Sequence, residues 1–325
     1  MKHIIFFLIL LTVISCEKEI KNTKLSGVVF GTSYHVVYHD ERNFETQFDS
    51  LFTVINNAMS TYQTNSDISR LNRNETTTVD AHFIKVFNAS KDIYKQTEGV
   101  FDPTIGGIVN AWDFGPEGKI ANLDSLKTDS LMQSVGLNKV TLVGNNIEKP
   151  QGTFIDFNAI AKGYGVDVIG EFLESKQVKN YLVEIGGEIR ARGTNKEKQA
   201  PWKVGIEMPH FDGEQSILEA IEMHDEAMAT SGTYRKFKTD AEGNRYAHII
   251  DTKTGYPSKT NLLSISVIAE NCMVADGYAT AFKAMGIEKV KTFLKKHPEL
   301  KVFLIFENDK KQLETLALNN FPKAK

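Results

Sequence analysis

The stretch that most constrains the fold lies near the middle of the chain, at residues 155–167, with the sequence IDFNAIAKGYGVD. An apolar strand predicted over residues 153–157 leads into small residues and then into a helix predicted over residues 165–176. Small residues at such a turn let a ligand approach the backbone, and a helix N-terminus offers free N–H groups to an anion. Lys162 lies in the first turn, where its ammonium can contact a phosphate. Turns of this kind are also common without any ligand, so the rest of the chain must distinguish the two.

Composition excludes some classes of function. The chain has 325 residues, of which 41% are hydrophobic and 24% are charged, and its formal net charge is -3. This is an ordinary globular composition without the basic excess that favours nucleic-acid binding, so no nucleic acid is expected as a partner. No linker or internal repeat divides the mature chain, and we predict one domain over residues 26–325.

The N-terminus is predicted to be a lipoprotein signal peptide over residues 1–15. An apolar run over residues 4–14 follows a basic start and is too short to span a bilayer. It ends in Ser15 and Cys16, which resemble a bacterial lipobox, where the cysteine becomes the lipidated N-terminus of the mature protein. Cleavage nearby, with a coincidental cysteine, is the alternative. Residues 16–25 are polar and lysine-rich and are predicted to be a tether.

Strand and helix patterns follow one another irregularly, which predicts an α+β fold. Strand patterns cover residues 26–38, 140–143, 153–157, 181–185, 189–191, 202–207, 216–223, 227–234, 246–251, 262–269 and 302–306. Helical patterns cover residues 43–59, 82–97, 103–112, 165–176 and 271–285. Gly31 in the first strand pattern indicates a bulge or a close backbone approach. The second and third strand patterns are predicted to pair as a hairpin. Asp102 is predicted to cap the helix that Pro103 begins.

A few polar side chains are candidates for chemistry. Asp276 and Thr280 are four residues apart and share one helix face, which makes a half-site for Mg²⁺, although the pattern taken alone favours a capping or intrahelical pair. His248 at a strand end suits a general base, but a histidine satisfied in the core or at the surface is the alternative. Thr230 and Ser231 either bind phosphate or ribose hydroxyls or simply end a strand. Asp156 is predicted to orient the central turn by accepting backbone N–H bonds.

Several blocks, taken in order, resemble the ApbE family of flavin transferases, also called FAD:protein FMN transferases. The resemblance extends from about residue 27 to about residue 306. The blocks are residues 30–34, 59–62, 66–72, 99–106, 110–112, 156–167, 184–188, 229–232, 248–257 and 275–280. Each block alone is weak, whereas the ordered set is specific.

The resemblance implies a T-fold-like domain and a Mg²⁺-dependent reaction. FAD would be cleaved at its pyrophosphate, FMN would be joined to a threonine hydroxyl of an acceptor protein, and AMP would leave. The usual acceptors are subunits of membrane redox complexes, exposed on the outer side of the inner membrane. A lipid anchor on Cys16 facing the periplasm agrees with that location. The alternatives are a pyrophosphatase that splits FAD to FMN and AMP, and a lipoprotein that binds FAD without chemistry.

The resemblance also implies roles for individual residues. Asp276, Thr280 and the backbone carbonyl of Ala159 would hold Mg²⁺, Lys162 would contact the FAD pyrophosphate, and His248 would take the proton from the acceptor threonine. The FAD site would be lined by Phe30, Ser60, Thr61, Tyr62, Asp102 and Ile250, and the same pocket would be bordered by Thr230, Ser231 and Gly232. The family commonly has Met at the position of Phe30 and Gly at that of Asn158, and a phenylalanine can still pack on a flavin or adenine ring.

Overall fold

A computed structural model describes residues 20–234, 237–239 and 245–323, so the predicted signal peptide and Cys16 lie outside the described residues. The strands β1 to β14 are Thr23–Val29, Thr32–Tyr38, Thr141–Val143, Asn146–Glu148, Tyr181–Ile185, Glu188–Arg192, Trp202–Glu207, Ile217–Met223, Ala227–Gly232, Phe237–Thr239, Arg245–Ala247, Leu262–Ala269, Lys301–Glu307 and Leu313–Leu318. The α-helices α1 to α8 are Glu45–Met59, Asp67–Asn72, Ala81–Gln96, Gly106–Ala111, Ser125–Met132, Ala161–Ser175, Cys272–Met285 and Ile287–Leu294. Within this part of the chain, no helix is both long enough and apolar enough to cross a bilayer.

An eight-stranded sheet organises these elements in the order β1-β2-β5-β6-β9-β12-β13-β14. Every neighbouring pair in it is antiparallel. All eight residues of β12 are buried, because the sheet is covered on both faces there. Helices α1, α3, α6 and α7 contribute to the large core on one face, and the hairpin β7–β8 covers the other. The predicted α+β class is confirmed.

The first strand pattern is a hairpin rather than one strand with a bulge. Phe30 and Gly31 form its two-residue turn between β1 and β2, with φ angles of 51° and 73°. Two successive positive φ angles match the right-handed twist of the flanking strands, which is why tight hairpins favour this turn. The close approach predicted from Gly31 is therefore a tight turn, and it leaves the Phe30 side chain beside α6.

The central bend, defined as residues 153–162, differs from its prediction in two ways. The hairpin predicted around residues 144–146 has its turn there, but β3 pairs with β4 rather than with residues 153–157. Of those five residues only Phe154 forms a bridge, with Ile105, and the Asn72 side chain bonds both the N–H and the C=O of Ile155, each at 2.8 Å. Helix α6 begins at Ala161 rather than at Gly165, which places Lys162 in its first turn as expected.

The prediction that Asp102 caps a helix is also wrong. Helix α4 begins at Gly106 with Ile105 as its N-cap, and no side chain caps it. The Asp102 carboxylate instead accepts hydrogen bonds from the N–H and the hydroxyl of Thr104, at 2.9 and 2.6 Å, inside the turn that precedes the helix. A carboxylate two residues before a backbone N–H forms such a local turn readily, and here the turn competes with the helix start.

Candidate functional site

A cavity of about 1090 Å³ opens where the first turns of α6 and α7 meet the ends of β5, β6 and β9. Nearly all of the predicted site residues line it: Phe30, Ser60, Tyr62, Asp102, Ala159, Lys162, Thr230, Ser231, Gly232, His248, Ile250, Asp276 and Thr280. Thr61 does not, since it lines a smaller neighbouring pocket of about 230 Å³ together with Tyr62. The large cavity is at the upper end of the range for pockets that enclose a small-molecule ligand.

Helices α6 and α7 meet at Gly163 with no space for a side chain. A Cβ on Gly163 would lie 2.3 Å from the carbonyl oxygen of Cys272 and 2.8 Å from the Cβ of Asp276. This close approach lets the Gly163 N–H donate to Oδ2 of Asp276 at 3.0 Å. Gly163 lies in the first turn of α6, where backbone N–H groups lack helical partners, so Asp276 caps α6 from the neighbouring helix.

Asp167 of α6, one turn after Gly163, in turn caps the N-terminus of α7. Its carboxylate accepts the N–H groups of Cys272 and Met273, at 3.0 and 2.8 Å, in the first turn of α7. Arg190 of β6 donates to the same carboxylate at 2.9 Å. Burial raises the pKa of Asp167, and these three donors act in the opposite direction. Each helix therefore caps the other, which fixes Asp276 and Thr280 relative to the central bend.

Lys162 and Glu188 form an ion pair on the cavity wall, with Nζ and Oε1 2.6 Å apart. The Glu188 side chain, at the start of β6, is 3% exposed and that of Lys162 is 31% exposed. Burial raises the pKa of Glu188, Lys162 lowers it and Asp276 raises it, so the net direction is upward. Burial lowers the pKa of Lys162, but the carboxylates of Asp276 and Glu188 more than offset this. Oε2 of Glu188 is buried without a hydrogen-bond partner, which costs about 1–3 kcal/mol.

The cavity wall is acidic. The carboxylates that line it are those of Asp102, Asp156, Glu184, Glu188, Glu207 and Asp276. Lys162 is the only lysine or arginine among the described lining residues. A pyrophosphate entering this cavity would meet more negative than positive charge, so an additional cation is needed to bind it.

Two of these carboxylates also shape the backbone. Asp102 accepts a third hydrogen bond from the N–H of Leu137 at 3.2 Å, and burial raises its pKa. Asp156 accepts the N–H of Asn158 at 2.7 Å, which confirms the prediction that it orients the central turn. Both side chains hold the loops that flank the bend and still present carboxylate surface to the cavity.

Another part of the cavity wall carries His248, which directly follows β11. Its ring lies 6.2 Å from that of Phe114, and Trp112 reaches the same loops by donating from Nε1 to the Gly255 carbonyl at 2.8 Å. Tyr246 contacts the rings of Trp112 and Phe114, at 5.8 and 5.9 Å. Phe114 and His248 line the cavity, whereas Trp112, Tyr246 and Tyr256 do not line it and are linked to these two residues by ring contacts. These five residues are called the aromatic rim.

Phe30 and Thr230 lie on the remaining walls. A Cβ on Gly165 would lie 2.6 Å from Cε2 of Phe30, so this phenylalanine packs directly on the first turns of α6. Its ring also meets that of Phe52 edge-on at 5.6 Å. Thr230 pairs its hydroxyl with that of Ser266 on β12 at 2.8 Å. Both residues are thus held by packing, with part of each side chain still facing the cavity.

Residue-by-residue inference from the sequence missed Gly163, Asp167 and Glu188 as elements of the site. Asp167 and Gly163 belong to the central stretch, but their effect depends on a second helix that begins more than a hundred residues later. Glu188 follows two glycines with φ angles of 61° and 98° at the end of β5. A carboxylate directly after a glycine turn between two strands was the signal available for it.

The whole chain was compared with known proteins. Its residues 30–304 match the model of the ApbE family, and the chain belongs to this family. It is 39% identical over 295 residues to a protein of Vibrio cholerae serotype O1 named FAD:protein FMN transferase, covering 86% of each chain. It is 38% identical over 318 residues to the protein of that name from Haemophilus influenzae, covering 92% of this chain and 90% of the relative.

Solved structures give the same result. The flavin transferase ApbE from Vibrio cholerae superposes with a TM-score of 0.82 at 35% identity, covering 92% of this chain and 97% of the other. The apo form of the Pseudomonas stutzeri flavinyl transferase ApbE superposes with a TM-score of 0.82 at 26% identity, covering 93% and 96% of the two chains. The predicted resemblance is therefore confirmed.

Proposed function

We propose that this protein is a FAD:protein FMN transferase that moves FMN from FAD to a threonine hydroxyl of an acceptor protein and releases AMP. The observation that carries the proposal is the meeting of α6 and α7, which brings Lys162, Asp276 and Thr280 into one cavity with His248 on its rim. A phosphate contact, oxygen donors for a metal and a candidate base are then available to one substrate.

The dinucleotide would lie across the central bend. Lys162 supplies a positive charge for the pyrophosphate next to the N-terminus of α6. Phe30 and Tyr62 offer ring surfaces for the flavin or the adenine, and the Tyr62 side chain, 61% exposed, lies at the mouth. The Ser60, Asp102, Thr230, Ser231, Gly232 and Ile250 positions complete the wall.

The residues present fit a Mg²⁺ ion. Asp276, Thr280 and the Ala159 carbonyl offer oxygen atoms only, the ligand type that Mg²⁺ prefers. A carboxylate accepts several bonds, so capping Gly163 does not occupy Asp276 fully. When bound, Mg²⁺ would neutralise charge on the phosphate oxygens in a cavity whose own charge is mainly negative.

His248 would act as the general base. A neutral ring nitrogen takes the proton of the threonine hydroxyl, and the threonine oxygen forms a bond to the phosphorus of the FMN half. The bond from that phosphorus to the bridging oxygen breaks, and AMP leaves with the electron pair. Lys162 stays on the phosphates and stabilises the charge that grows on the leaving group.

A transfer assay tests this proposal. The protein is incubated with FAD, Mg²⁺ and purified candidate acceptors, and flavin fluorescence is read on the acceptor after denaturation. We expect covalent FMN and an equal amount of AMP, with both lost on chelation of the metal. AMP without labelled acceptor, across all candidates, would indicate a pyrophosphatase. Tight FAD binding without AMP would indicate a flavin-binding protein.

We further propose that the mature protein is lipid-anchored through Cys16 and faces the periplasm, where subunits of membrane redox complexes are its acceptors. The sequence of residues 4–16 supports this. Cys16→Ser should release the protein from the membrane fraction without changing transfer in solution. Membrane retention of that variant would contradict the anchor.

A further inference from the structure

Glu188 is the buried charged residue of the cavity to which neither the sequence nor the proposed reaction gives a task. It occupies the first position of β6, immediately after the Gly186–Gly187 turn, and its Oε1 lies 2.6 Å from the Lys162 ammonium. Its other oxygen is buried and has no partner. A purely structural ion pair is expected to satisfy both oxygens, because an unpaired buried acceptor is costly.

The position of Lys162 explains why such a residue is needed. A lysine reaches its target through a flexible four-carbon stem, so its ammonium is poorly placed unless something fixes it. Lys162 is only partly buried, and no second carboxylate lies within ion-pair distance of it among the described residues. Glu188 is fixed, since it is 3% exposed and lies on a strand paired on both sides.

We propose that Glu188 is a positioning residue for the phosphate site: it holds the Lys162 ammonium in line with the substrate pyrophosphate and pairs with the charge of that ammonium while the site is empty. The inference rests on the proposed function, because it takes FAD as the molecule that Lys162 contacts. Glu188 itself need not touch the dinucleotide. It acts through Lys162, and its negative charge opposes the binding of an anion.

By holding Lys162, Glu188 raises the rate of the reaction, whereas its negative charge weakens FAD binding. Because the two effects have opposite signs, the proposal is testable. Glu188→Gln keeps the shape but removes the charge that holds Lys162. FAD affinity, measured by titration, should stay equal or become up to about threefold tighter, because one repulsive charge is gone. The rate of AMP release at saturating FAD and acceptor should fall by at least about tenfold, because the ammonium is no longer fixed. Damage to the fold would instead lower affinity and rate together.

A double-mutant cycle tests whether the effect of Glu188 on the rate depends on Lys162. If Glu188 acts through Lys162, then Glu188→Gln adds less than about threefold to the loss already caused by Lys162→Met. Losses that multiply would overturn the proposal, and so would a turnover of Glu188→Gln within about threefold of the parent. Equal loss of affinity and rate in the single variant would also overturn it.

Matched variants keep the result interpretable. Glu171 lies on α6, like Lys162, and forms an exposed ion pair with Lys85 of α3, with Nζ and Oε1 3.0 Å apart. Glu171→Gln removes the same charge there and should change neither the FAD affinity nor the rate of AMP release. If Glu188→Gln does not fold, Glu188→Asp retains the charge and draws it back from Lys162, so its affinity should be normal and its rate intermediate. A parent that binds FAD but releases no AMP with any acceptor would refute the proposed function. In that case, a tightening of FAD binding by Glu188→Gln that is lost in the Lys162→Met background would still show that Glu188 acts through Lys162, and an equal tightening in both backgrounds would overturn it.

Discussion

The two ends of the cavity are built differently. At the central bend, α6 and α7 touch through a glycine and cap one another through Asp276 and Asp167. At the aromatic rim, His248 follows a three-residue strand and its ring lies 6.2 Å from that of Phe114, while Trp112 and Tyr246 meet 5.8 Å apart in the same cluster. One end is fixed by helix packing and backbone hydrogen bonds, and the other by loops that carry large side chains.

The difference corresponds to what each end must bind. A pyrophosphate and a hard cation present the same charges in every turnover, so rigid oxygen donors and a fixed ammonium suit them. An acceptor protein must dock, react and leave, and a loop surface with aromatic side chains is typical of such recognition. We therefore expect substitutions at the bend to impair FAD binding or the reaction with every acceptor, and those at the rim to impair the reaction with the acceptor while FAD binding is unchanged.

Asp276 gives the largest expected effect. Asp276→Ala should abolish both AMP release and transfer, by roughly a thousandfold, because a metal-binding carboxylate supplies several kcal/mol. It should also lower the melting temperature, because the Gly163 N–H loses its cap. Asp276→Asn separates the two effects, since an amide oxygen still accepts that N–H but lacks the charge. Full activity in either variant would remove the metal assignment.

His248 gives the next largest effect, and it tests the rim. His248→Ala should leave FAD affinity unchanged and reduce transfer by about a hundredfold or more, the usual scale for a general base. The measurements are an FAD titration and the initial rate of covalent labelling. An equal loss of FAD affinity would make His248 a binding residue and would contradict the division of the cavity into two ends.

The same division explains what the sequence could and could not predict. Lys162, Asp276 and Thr280 could be assigned because local spacing and the family blocks place them on helices. Glu188 and Asp167 were missed because their partners, Lys162 and the first turn of α7, come together only in the folded sheet. The second strand of the hairpin predicted around residues 144–146 was placed wrongly at residues 153–157, where the Asn72 side chain takes the backbone bonds of Ile155, and such side-chain competition leaves no periodic pattern.

Gly163 tests whether the close contact of the two helices is needed. Gly163→Ala should separate α6 from α7, since its Cβ would meet backbone atoms of Cys272 at 2.3 and 2.7 Å. We expect a loss of about 1–3 kcal/mol in the free energy of unfolding and about a tenfold fall in AMP release. Gly107→Ala in α4 is the control, because its Cβ would meet only Phe154 at 3.8 Å. Similar behaviour of the two variants would show that the contact is not critical.

Trp112 gives the smallest effect and the sharpest contrast between the two ends. Trp112→Phe keeps a ring in the aromatic rim but loses the bond from Nε1 to the Gly255 carbonyl. Losing one such bond costs about 1 kcal/mol, and the loosened rim should raise the KM for the acceptor about threefold to tenfold while the affinity for FAD is unchanged. The second tryptophan is a matched control, because Trp202 also donates to a backbone carbonyl, that of Arg192 at 2.9 Å, and packs in the core on the other face of the sheet. Trp202→Phe should lose similar stability without affecting the acceptor KM. An equal rise in KM in both variants would mean that general destabilisation, and not the rim, controls acceptor binding.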